Sequence, residues 1–308
     1  MADVTLNNIV KTYNKGEVKA VNNVSFEINK GELFGLIGAD GSGKTSIFRI
    51  LTTLLLPDSG TASINGFDVI KDYKTIRKNI GYMPGKFSLY QDLSVQENLD
   101  FFATIFNTTV KENYDLIKDI YIQLEPFKTR KAGKLSGGMK QKLALCCALI
   151  HRPTVLLLDE PTTGVDVVSR KEFWEILKGL KQQGITILVS TPYMDEANLC
   201  ERIALLQNGS IMSIDRPNNT VKQFPDTLFA MRANDMGRLQ NVLRSNKLIK
   251  SCFSFGDFHH VTMDSGELTM DNLEKQLIES GFQNVIIKEI TPTVEDCFIY
   301  LMGNAMEN

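Results

Sequence analysis

The sequence predicts an α/β domain, with a mostly parallel sheet and a helical insertion, followed by a small α+β domain. Three observations support this prediction. Over residues 1–222, short apolar runs alternate with helical stretches, which is the pattern of a parallel sheet covered by helices. The pattern becomes helix-rich from Ile76 to Lys134, and after Pro225 strands and helices follow in a new order. We therefore expect domains at residues 1–222 and 223–308.

The strands and helices of the first domain are predicted from apolar runs and helical periodicity. The strand-like runs are Asn23–Ile28, Leu33–Ile37, Thr154–Leu158 and Thr186–Ser190, and the main helical stretches are Lys44–Leu55, Met139–Ile150 and Ser169–Gln183. Within the insertion, Val95–Phe106 and Lys111–Leu124 are candidate helices, with no strong buried strand. We expect this helical subdomain to span about residues 85–134.

The second domain follows a βαββαβ order, which is the ferredoxin-like arrangement. Its predicted elements are strand Thr227–Ala233, helix Asp235–Asn246, strands Leu248–Phe255 and Phe258–Asp264, helix Thr269–Ser280, strand Asn284–Ile290 and a closing helix at Thr293–Met302. Such a unit can bind a small effector or serve in packing and dimerisation, and fold alone does not decide between them. His259 and His260 are interpreted as an exposed strand pair rather than a metal site.

Composition excludes several classes of protein. The 308 residues suit two domains at about 150 residues each, and 34 basic against 36 acidic side chains leave a net charge of only −2. No strong global field is available to attract nucleic acid or anionic lipid. The five cysteines show no metal-ligand spacing, so reduced thiols are expected. No apolar run approaches the ~18 residues of a membrane span, and no export signal is visible at the N-terminus, so we expect a cytoplasmic chain.

A phosphate-binding loop follows the strand Leu33–Ile37. The segment Gly38-Ala-Asp-Gly-Ser-Gly-Lys-Thr45 fits GxxxxGK[ST] between a strand and a helix, the context that this motif requires. Its backbone amides and the start of the helix favour anions. Lys44 is expected to reach the β- and γ-phosphates, and Thr45 to hold Mg²⁺. The expected ATP-binding residues of this segment are Gly38, Ala39, Asp40, Gly41, Ser42, Gly43, Lys44, Thr45 and Ser46.

Two carboxylates follow a second apolar strand, in Val155-Leu-Leu-Leu-Asp159-Glu160. Acids at a strand end are often solvated caps, but next to a phosphate loop they acquire chemical roles. Asp159 is expected to support Mg²⁺. Glu160 is expected to act as general base on the attacking water.

A third segment, Leu135-Ser136-Gly137-Gly138, opens a helix, with Ser136 in the N-cap position. The two glycines leave backbone amides free for a second anion site. Taken alone, Ser-Gly-Gly is more typical of a linker or a helix cap than of an anion site.

In this order, the three segments resemble the nucleotide-binding subunits of ATP-binding cassette (ABC) transporters, over roughly Thr5 to Pro217. The resemblance implies a P-loop NTPase cassette that works as a dimer, self-paired or with an unlike cassette. Each ATP would lie between the phosphate loop of one chain and the signature of the other. Tyr13 matches the aromatic that stacks on adenine, and Asp166 matches the loop that communicates across the dimer. The signature residues that would contact the partner's ATP are Ser136, Gly137, Gly138, Met139 and Gln141.

Two residues depart from the pattern of the family. Gly85 stands where the family usually has a glutamine that touches Mg²⁺ and the attacking water. Pro192 stands where a histidine usually contacts the γ-phosphate. Losing one preorganised donor typically costs about 10²- to 10³-fold in rate, so we expect retained but weak ATPase turnover. The alternative is a degenerate regulatory cassette that binds ATP with little hydrolysis and completes a partner's active site.

The segment Ile80–Leu99, the run Tyr193–Ala197 and the C-terminal Thr291–Asp296 look most like multidrug and sodium export cassettes. That resemblance implies an efflux ATPase with separate transmembrane permease subunits, peripheral on the cytoplasmic face of the cell membrane. The expected docking surface is Phe87–Asn98, with a locally buried hairpin as the alternative. Soluble cassettes that act on DNA or ribosomes are disfavoured, because the chain has one phosphate loop, a short insertion and no basic patch.

Overall fold

The computed structural model describes residues 2–263 and 269–307, and the chain divides into two compact units, Met1–Asn219 and Thr220–Asn308. The regular elements of the first unit, in chain order, are β1 (Ala2–Tyr13), β2 (Val18–Asn29), β3 (Leu33–Ile37), α1 (Lys44–Leu51), β4 (Ser59–Ile64), β5 (Phe67–Asp68), α2 (Tyr73–Asn79), β6 (Ile80–Met83), α3 (Val95–Ile105), α4 (Tyr114–Tyr121), α5 (Gly137–Leu149), β7 (Val155–Asp159), α6 (Val167–Gln182), β8 (Thr186–Thr191), β9 (Arg202–Gln207) and β10 (Ser210–Asp215). Helix α7 (Pro217–Lys222) follows and contains the boundary.

The central sheet has six strands in the order β10-β9-β3-β8-β7-β6, with only β10 antiparallel to its neighbour. Strands β3, β7 and β8 are buried at every residue, as expected when helices cover both faces of a parallel sheet. This result confirms the mostly parallel sheet. It also brings the carboxyl ends of β3, β7 and β8 to one edge.

A second sheet, with the antiparallel order β2-β1-β4-β5, was not predicted. Its long strands β1 and β2 change register several times along their pairing. Asn8 and Asn23 adopt left-handed φ angles of 51° and 54°, and such bulges interrupt the alternation that marks a strand in sequence.

The insertion contains the two expected helices, α3 and α4, although α4 is shorter than predicted. Helix α3 begins with a capping box in which Ser94 and Glu97 exchange side-chain and backbone hydrogen bonds. The expectation of no strong buried strand between Ile76 and Lys134 was wrong, because Ile80–Met83 forms the largely buried β6 at the edge of the central sheet. Four residues are too few for periodicity to separate a strand from a helix.

The second unit has the predicted βαββαβ order: β11 (Leu228–Arg232), α8 (Met236–Ser245), β12 (Ile249–Phe255), β13 (Phe258–Met263), α9 (Met270–Glu279), β14 (Ile286–Ile290) and the closing helix α10 (Val294–Glu307). The strands form one antiparallel sheet in the order β12-β13-β11-β14. Leucines of α8 and α9 pack on one face of it, with Phe229, Met231 and Val261.

The two histidines of β13 are not exposed, which corrects the sequence prediction. His259 is buried and its ring bonds to Ser254 Oγ and the Met236 carbonyl, while His260 bonds to Asp296. Both therefore have structural partners. Across residues 2–263 and 269–307, no helix has the length and apolar character that a bilayer crossing requires.

Candidate nucleotide-binding site

The loop between β3 and α1 has a backbone that only glycine accommodates. Gly43 has a φ of 109°, and a Cβ there would lie 2.1 Å from the Ala20 carbonyl oxygen. Gly41 has a φ of 79°, in the left-handed region that glycine enters without steric cost. The tip of the loop, Ala39 to Gly41, is exposed. The glycines thus let the chain turn sharply from the sheet into the start of α1.

Lys44 extends under this loop and is only 3% exposed. Its ammonium donates to the carbonyl oxygens of Gly38 at 2.8 Å and Ala39 at 3.0 Å, and it lies 3.2 Å from Glu160 Oε1. A buried ammonium needs such partners. Lys44 therefore joins the loop after β3 to the carboxylate after β7.

Ser42 supplies an independent indication of a ligand. Its Oγ is buried and has no hydrogen-bond partner among the described residues, and an orphaned hydroxyl is uncommon in a folded protein. It lies beside Gly38, where a Cβ would approach Ser42 Oγ to 2.7 Å. A buried donor, an ammonium and the amides at the start of α1 suit a phosphate chain. Thr45 and Ser46 follow, half-buried, in the first turn of α1.

The two acids at the end of β7, Asp159 and Glu160, are held by Ser190 of β8. Asp159 is 2% exposed and accepts a hydrogen bond of 2.7 Å from Ser190 Oγ. The Glu160 amide donates to the same Oγ at 2.9 Å, and Glu160 itself has a left-handed φ of 51°. Burial and then the negative charge of Asp159 raise the pKa of Tyr82 to about 12. One hydroxyl of the adjacent strand β8 thus fixes both the Asp159 side chain and the Glu160 backbone.

Gly85 lies next to these acids. A Cβ on it would stand 3.2 Å from the Asp159 carbonyl oxygen and 3.8 Å from Asp159 Oδ2. A longer side chain at this position would therefore extend over the carboxylate. Pro192 directly follows β8, two residues after Ser190.

A buried carboxylate behind Pro192 was missed by the sequence analysis. Glu196 is 2% exposed and accepts hydrogen bonds from Thr191 at 2.5 Å, Thr162 at 3.1 Å and Arg170 at 3.0 Å. The Arg170 guanidinium also lies 4.1 Å from the centre of the Tyr193 ring. This network ties the loop after β8 to the loop after β7 and to α6. Its members are distant in sequence, so no local pattern marks them.

Tyr13, at the end of β1, points at the same helix. Its hydroxyl lies 3.2 Å from Ser46 Oγ of α1. The preceding residues are fixed by Asp58, which accepts from Lys11 Nζ at 2.6 Å and from the Thr12 amide at 2.7 Å. Asp58 therefore holds the strand end that carries Tyr13 near the phosphate loop.

The signature segment is joined to the start of α6. Ser136 caps α5 by accepting a hydrogen bond from the Met139 amide, and Ser136 and Gly137 are exposed while Met139 and Gln141 are half-buried. Gly138 packs so tightly that a Cβ would lie 2.6 Å from Ser169 Oγ. Asp166 caps α6 by accepting from the Ser169 amide at 3.0 Å. This hydrogen bond from the Ser169 amide is the main cause of the lowered pKa of Asp166. Ser169 thus connects the signature to Asp166.

The expected docking segment is partly buried. Leu89 and Val95 are buried, whereas Tyr90 is 51% exposed. Asn98, fully buried, exchanges hydrogen bonds with the Tyr90 backbone and also donates to the carbonyls of Leu93 and Ser94. Through Leu89, the docking segment borders a cavity of about 310 Å³ that the sequence did not indicate. Its walls include Leu54, Pro84, Leu89, Phe102, Phe106 and His151.

The described residues combine the features expected of a nucleotide-binding cassette. Comparison with known proteins identifies the ABC transporter family. The ABC transporter family model matches residues 21–163. The chain is 38% identical over 308 residues to the probable multidrug ABC transporter ATP-binding protein YbhF of Escherichia coli, covering 99% of this chain and 53% of that protein. It thus spans about half the length of that relative.

Two further relatives match over most of their lengths. The doxorubicin resistance ATP-binding protein DrrA of Mycobacterium tuberculosis is 32% identical over 273 residues, covering 87% of this chain and 81% of that protein. The Nod factor export ATP-binding protein I of Rhizobium sp. (strain N33) is 35% identical over 300 residues, with 95% of both chains covered.

Among solved structures, a dimeric ATP-binding cassette in a post-hydrolysis state with ADP and Pi superposes with a TM-score of 0.63 at 28% identity. The superposition covers 69% of this chain and 98% of that one. The chain belongs to the ABC transporter family and is similar to its export-type ATP-binding subunits.

Proposed function

We propose that this chain is the ATP-binding and ATP-hydrolysing subunit of an export transporter, acting on the cytoplasmic face of the membrane with separate permease subunits. The observation that carries the proposal is the pairing of Lys44 with Glu160 at 3.2 Å, directly beside Asp159. This pairing supports a phosphate-binding role for Lys44 and a general-base role for Glu160 at one edge of the sheet. Export as the direction of transport is supported by the names of the relatives.

The nucleotide is held by the residues of the phosphate loop, with Tyr13 against the adenine. The Ser42 hydroxyl and the Lys44 ammonium donate to phosphate oxygens. The hydroxyl of Thr45 and the carboxylate of Asp159 are oxygen donors of the kind that Mg²⁺ takes. Mg²⁺ bound there would neutralise charge on the phosphates. A phosphate of the bound nucleotide first replaces Glu160 beside Lys44. Glu160 then accepts the proton of the attacking water.

Work is done by ATP-driven closure of two cassettes. Ser136 and Gly137, which are exposed, would meet the nucleotide of a partner cassette, with Met139 and Gln141 behind them. Asp166, connected to the signature through Ser169, would carry the state of one site to the other. The partner cassette is a second copy of this chain or an unlike cassette.

The permease is proposed to dock in the cavity of about 310 Å³ beside Pro84 and Gly85. Apolar side chains of a short permease helix would enter it against Leu54, Phe102 and Phe106. Tyr90 adds an exposed aromatic ring nearby, because it packs on Phe101, which contacts Phe102 of the lining. Movement of the docked helix would pass directly to the segment that contacts Asp159.

The second candidate function is a regulatory cassette with little hydrolysis. It is favoured by Gly85 and Pro192, which remove two polar side chains near the expected γ-phosphate. The intact Asp159 and Glu160 favour weak turnover over complete loss. For the second unit we propose a ferredoxin-like accessory domain, supported by its strand order.

Steady-state Mg-ATP turnover of the purified chain separates the two candidates. Wild type is compared with Glu160→Gln, which reports contaminating activity, and with Gly85→Gln/Pro192→His, which restores both side chains. Turnover of wild type well above Glu160→Gln supports the hydrolysing subunit. Silent wild type with an active restored form would establish the regulatory cassette instead.

A further inference from the structure

The buried carboxylate of Glu196 connects two segments of the candidate nucleotide site. Glu196 is 2% exposed, and one of its oxygens, Oε2, accepts hydrogen bonds from the hydroxyls of both Thr162 and Thr191. The two threonines are also buried. A buried carboxylate is costly unless it is hydrogen-bonded, so the three side chains depend on one another. We call them the Glu196 bridge.

On one side, the Glu196 bridge is joined to the phosphate loop. Thr191 is the last residue of β8, and its carbonyl oxygen accepts a hydrogen bond of 3.4 Å from the amide of Gly38, the first residue of that loop. The Thr191 hydroxyl also accepts from the Tyr193 amide at 3.0 Å, so the same group fixes the turn through Pro192. Thr191 therefore holds the start of the phosphate loop at a set position relative to Glu196.

On the other side, the bridge is joined to the candidate general base. Glu160 has a φ of 51°, a conformation that is costly for residues other than glycine and persists where the surrounding structure fixes it. The turn that follows is closed by a hydrogen bond from the Thr163 amide to the Glu160 carbonyl. Thr162 lies inside this turn, and its hydroxyl is 3.1 Å from Glu196 Oε2. That bond restrains the backbone that carries the base.

Arg170 fixes the orientation of the carboxylate. Its Nε donates to Glu196 Oε1 at 3.0 Å, and its guanidinium lies 4.1 Å from the centre of the Tyr193 ring. Because Arg170 binds Oε1, the other oxygen is left to the two threonine hydroxyls. The arginine comes from the start of α6, the helix that Asp166 caps, so the bridge has a third support.

We propose that Glu196 is a positioning residue that sets Glu160 against the phosphate loop. The contact of 3.2 Å between Lys44 and Glu160 joins the same two segments that the bridge connects. A displacement of about 1 Å at a reacting group can cost about 100-fold in rate. Loosening the bridge should therefore slow hydrolysis and leave nucleotide affinity unchanged. The inference rests on the proposed role of Glu160 as general base.

Thr162→Val and Thr162→Ser test the bridge on the full chain. Valine keeps the shape of threonine without the hydroxyl, whereas serine keeps the hydroxyl and loses the methyl group. Single-turnover hydrolysis should fall about 10- to 100-fold in Thr162→Val, with Mg-ATP affinity unchanged, and Thr162→Ser should hydrolyse ATP as wild type does. Thr191→Val and Thr191→Ser should show the same contrast. A merely structural role would not give this pattern, because the loss of a buried methyl group also lowers stability.

Hydrogen–deuterium exchange without nucleotide measures the positioning independently of hydrolysis. The backbone amides of residues 160–165 should exchange about fivefold faster in Thr162→Val, from the loss of one hydrogen bond, and at the wild-type rate in Thr162→Ser. Thr262→Val is the matched control, because Thr262 is 3% exposed and its hydroxyl bonds to Ser251 Oγ at 2.7 Å in the second unit. It should lower stability without changing hydrolysis or exchange at residues 160–165.

Two results would overturn the proposal. The first is unchanged exchange at residues 160–165 in Thr162→Val. The second is hydrolysis that follows the unfolding free energies of the variants instead of the presence of the hydroxyl. Failure of the proposed function gives a different result, namely wild type that hydrolyses ATP no faster than Glu160→Gln. In that case the exchange of Thr162→Val against Thr162→Ser still supports or overturns the bridge.

Discussion

Nζ of Lys44 lies 3.2 Å from Oε1 of Glu160, with the lysine side chain 2% and the glutamate side chain 22% exposed. In this arrangement the proposed phosphate-binding cation of the loop after β3 is neutralised by the candidate base after β7. Phosphate oxygens can replace that carboxylate, because a buried ammonium exchanges one anionic partner for another. We therefore propose that the pair links ATP binding to release of the base.

Lys44→Ala should weaken Mg-ATP binding about 10- to 100-fold, because hydrogen bonds to charged groups contribute about 1.5–3 kcal/mol. Isothermal titration calorimetry measures the effect. Lys30→Ala, at an exposed lysine in the turn before β3, is the control and should bind as wild type does. Equal affinity in wild type and Lys44→Ala would contradict the placement of the nucleotide.

Gly138→Ala should destabilise the chain by about 1–3 kcal/mol, the usual cost of overpacking. Its Cβ would lie 2.6 Å from Ser169 Oγ and 2.8 Å from Ser169 Cβ. Urea unfolding of the single variants and of Gly138→Ala/Ser169→Gly measures the coupling. The double variant should recover the stability of Ser169→Gly. If Gly138 also faces the partner's nucleotide, ATP-driven dimerisation of the double variant should remain impaired. Unchanged stability in Gly138→Ala would refute the close contact.

Asp58→Asn should show a pH-dependent loss of stability. Hydrogen bonds from Lys11 and then Thr12 lower the pKa of Asp58 from 3.8 to about 2. Since the pKa is lower in the folded chain, the stabilisation is fully present above pH 3.8 and disappears as the pH falls toward 2. Urea unfolding of wild type and Asp58→Asn at pH 7, 5, 4 and 3 measures the difference, which should shrink only below about pH 4. Asp92→Asn, at an exposed acid, serves as control, and a gap that is constant down to pH 3 would exclude this origin.

Glu196→Ala should cost about 3 kcal/mol of unfolding free energy, because two buried hydroxyls lose their acceptor and Arg170 is left with its ion pair to the exposed Asp195. Arg170 would lose its bond of 3.0 Å, and the hydroxyls of Thr162 and Thr191 would lose their acceptor. Denaturant unfolding provides the value. The neighbouring Asp195 is 76% exposed, so Asp195→Asn should cost under about 1 kcal/mol. Similar costs for the two variants would argue against the buried network.

The parts of the fold predicted from sequence are those with local signals. Strands β3 and β7 are continuous apolar runs, and the phosphate loop has glycines in fixed register. The elements of the second unit are separated by turn residues such as Gly256 and Gly281, both in left-handed conformations. These features depend on residues that are close in sequence, so they can be recognised without knowledge of the fold.

The missed features depend on contacts between distant segments. Bulges at Asn8 and Asn23 disguise the strands of the antiparallel sheet. Glu196 meets Thr162 across 34 positions, and His260 finds Asp296 across 36, so neither environment could be inferred from local sequence. The exposed or buried state of a polar residue follows from such long-range partners.

Single-turnover hydrolysis tests the central claim most directly, because it detects one slow chemical event on the chain itself. The purified chain in excess is mixed with γ-labelled ATP and Mg²⁺, and bound ATP and released phosphate are followed for wild type and Glu160→Gln. Both should bind ATP, and wild type should convert it about 10²- to 10⁴-fold faster, the usual contribution of a general base. ATP that remains bound and intact on wild type for as long as on Glu160→Gln would contradict the assignment of this chain as a hydrolysing subunit.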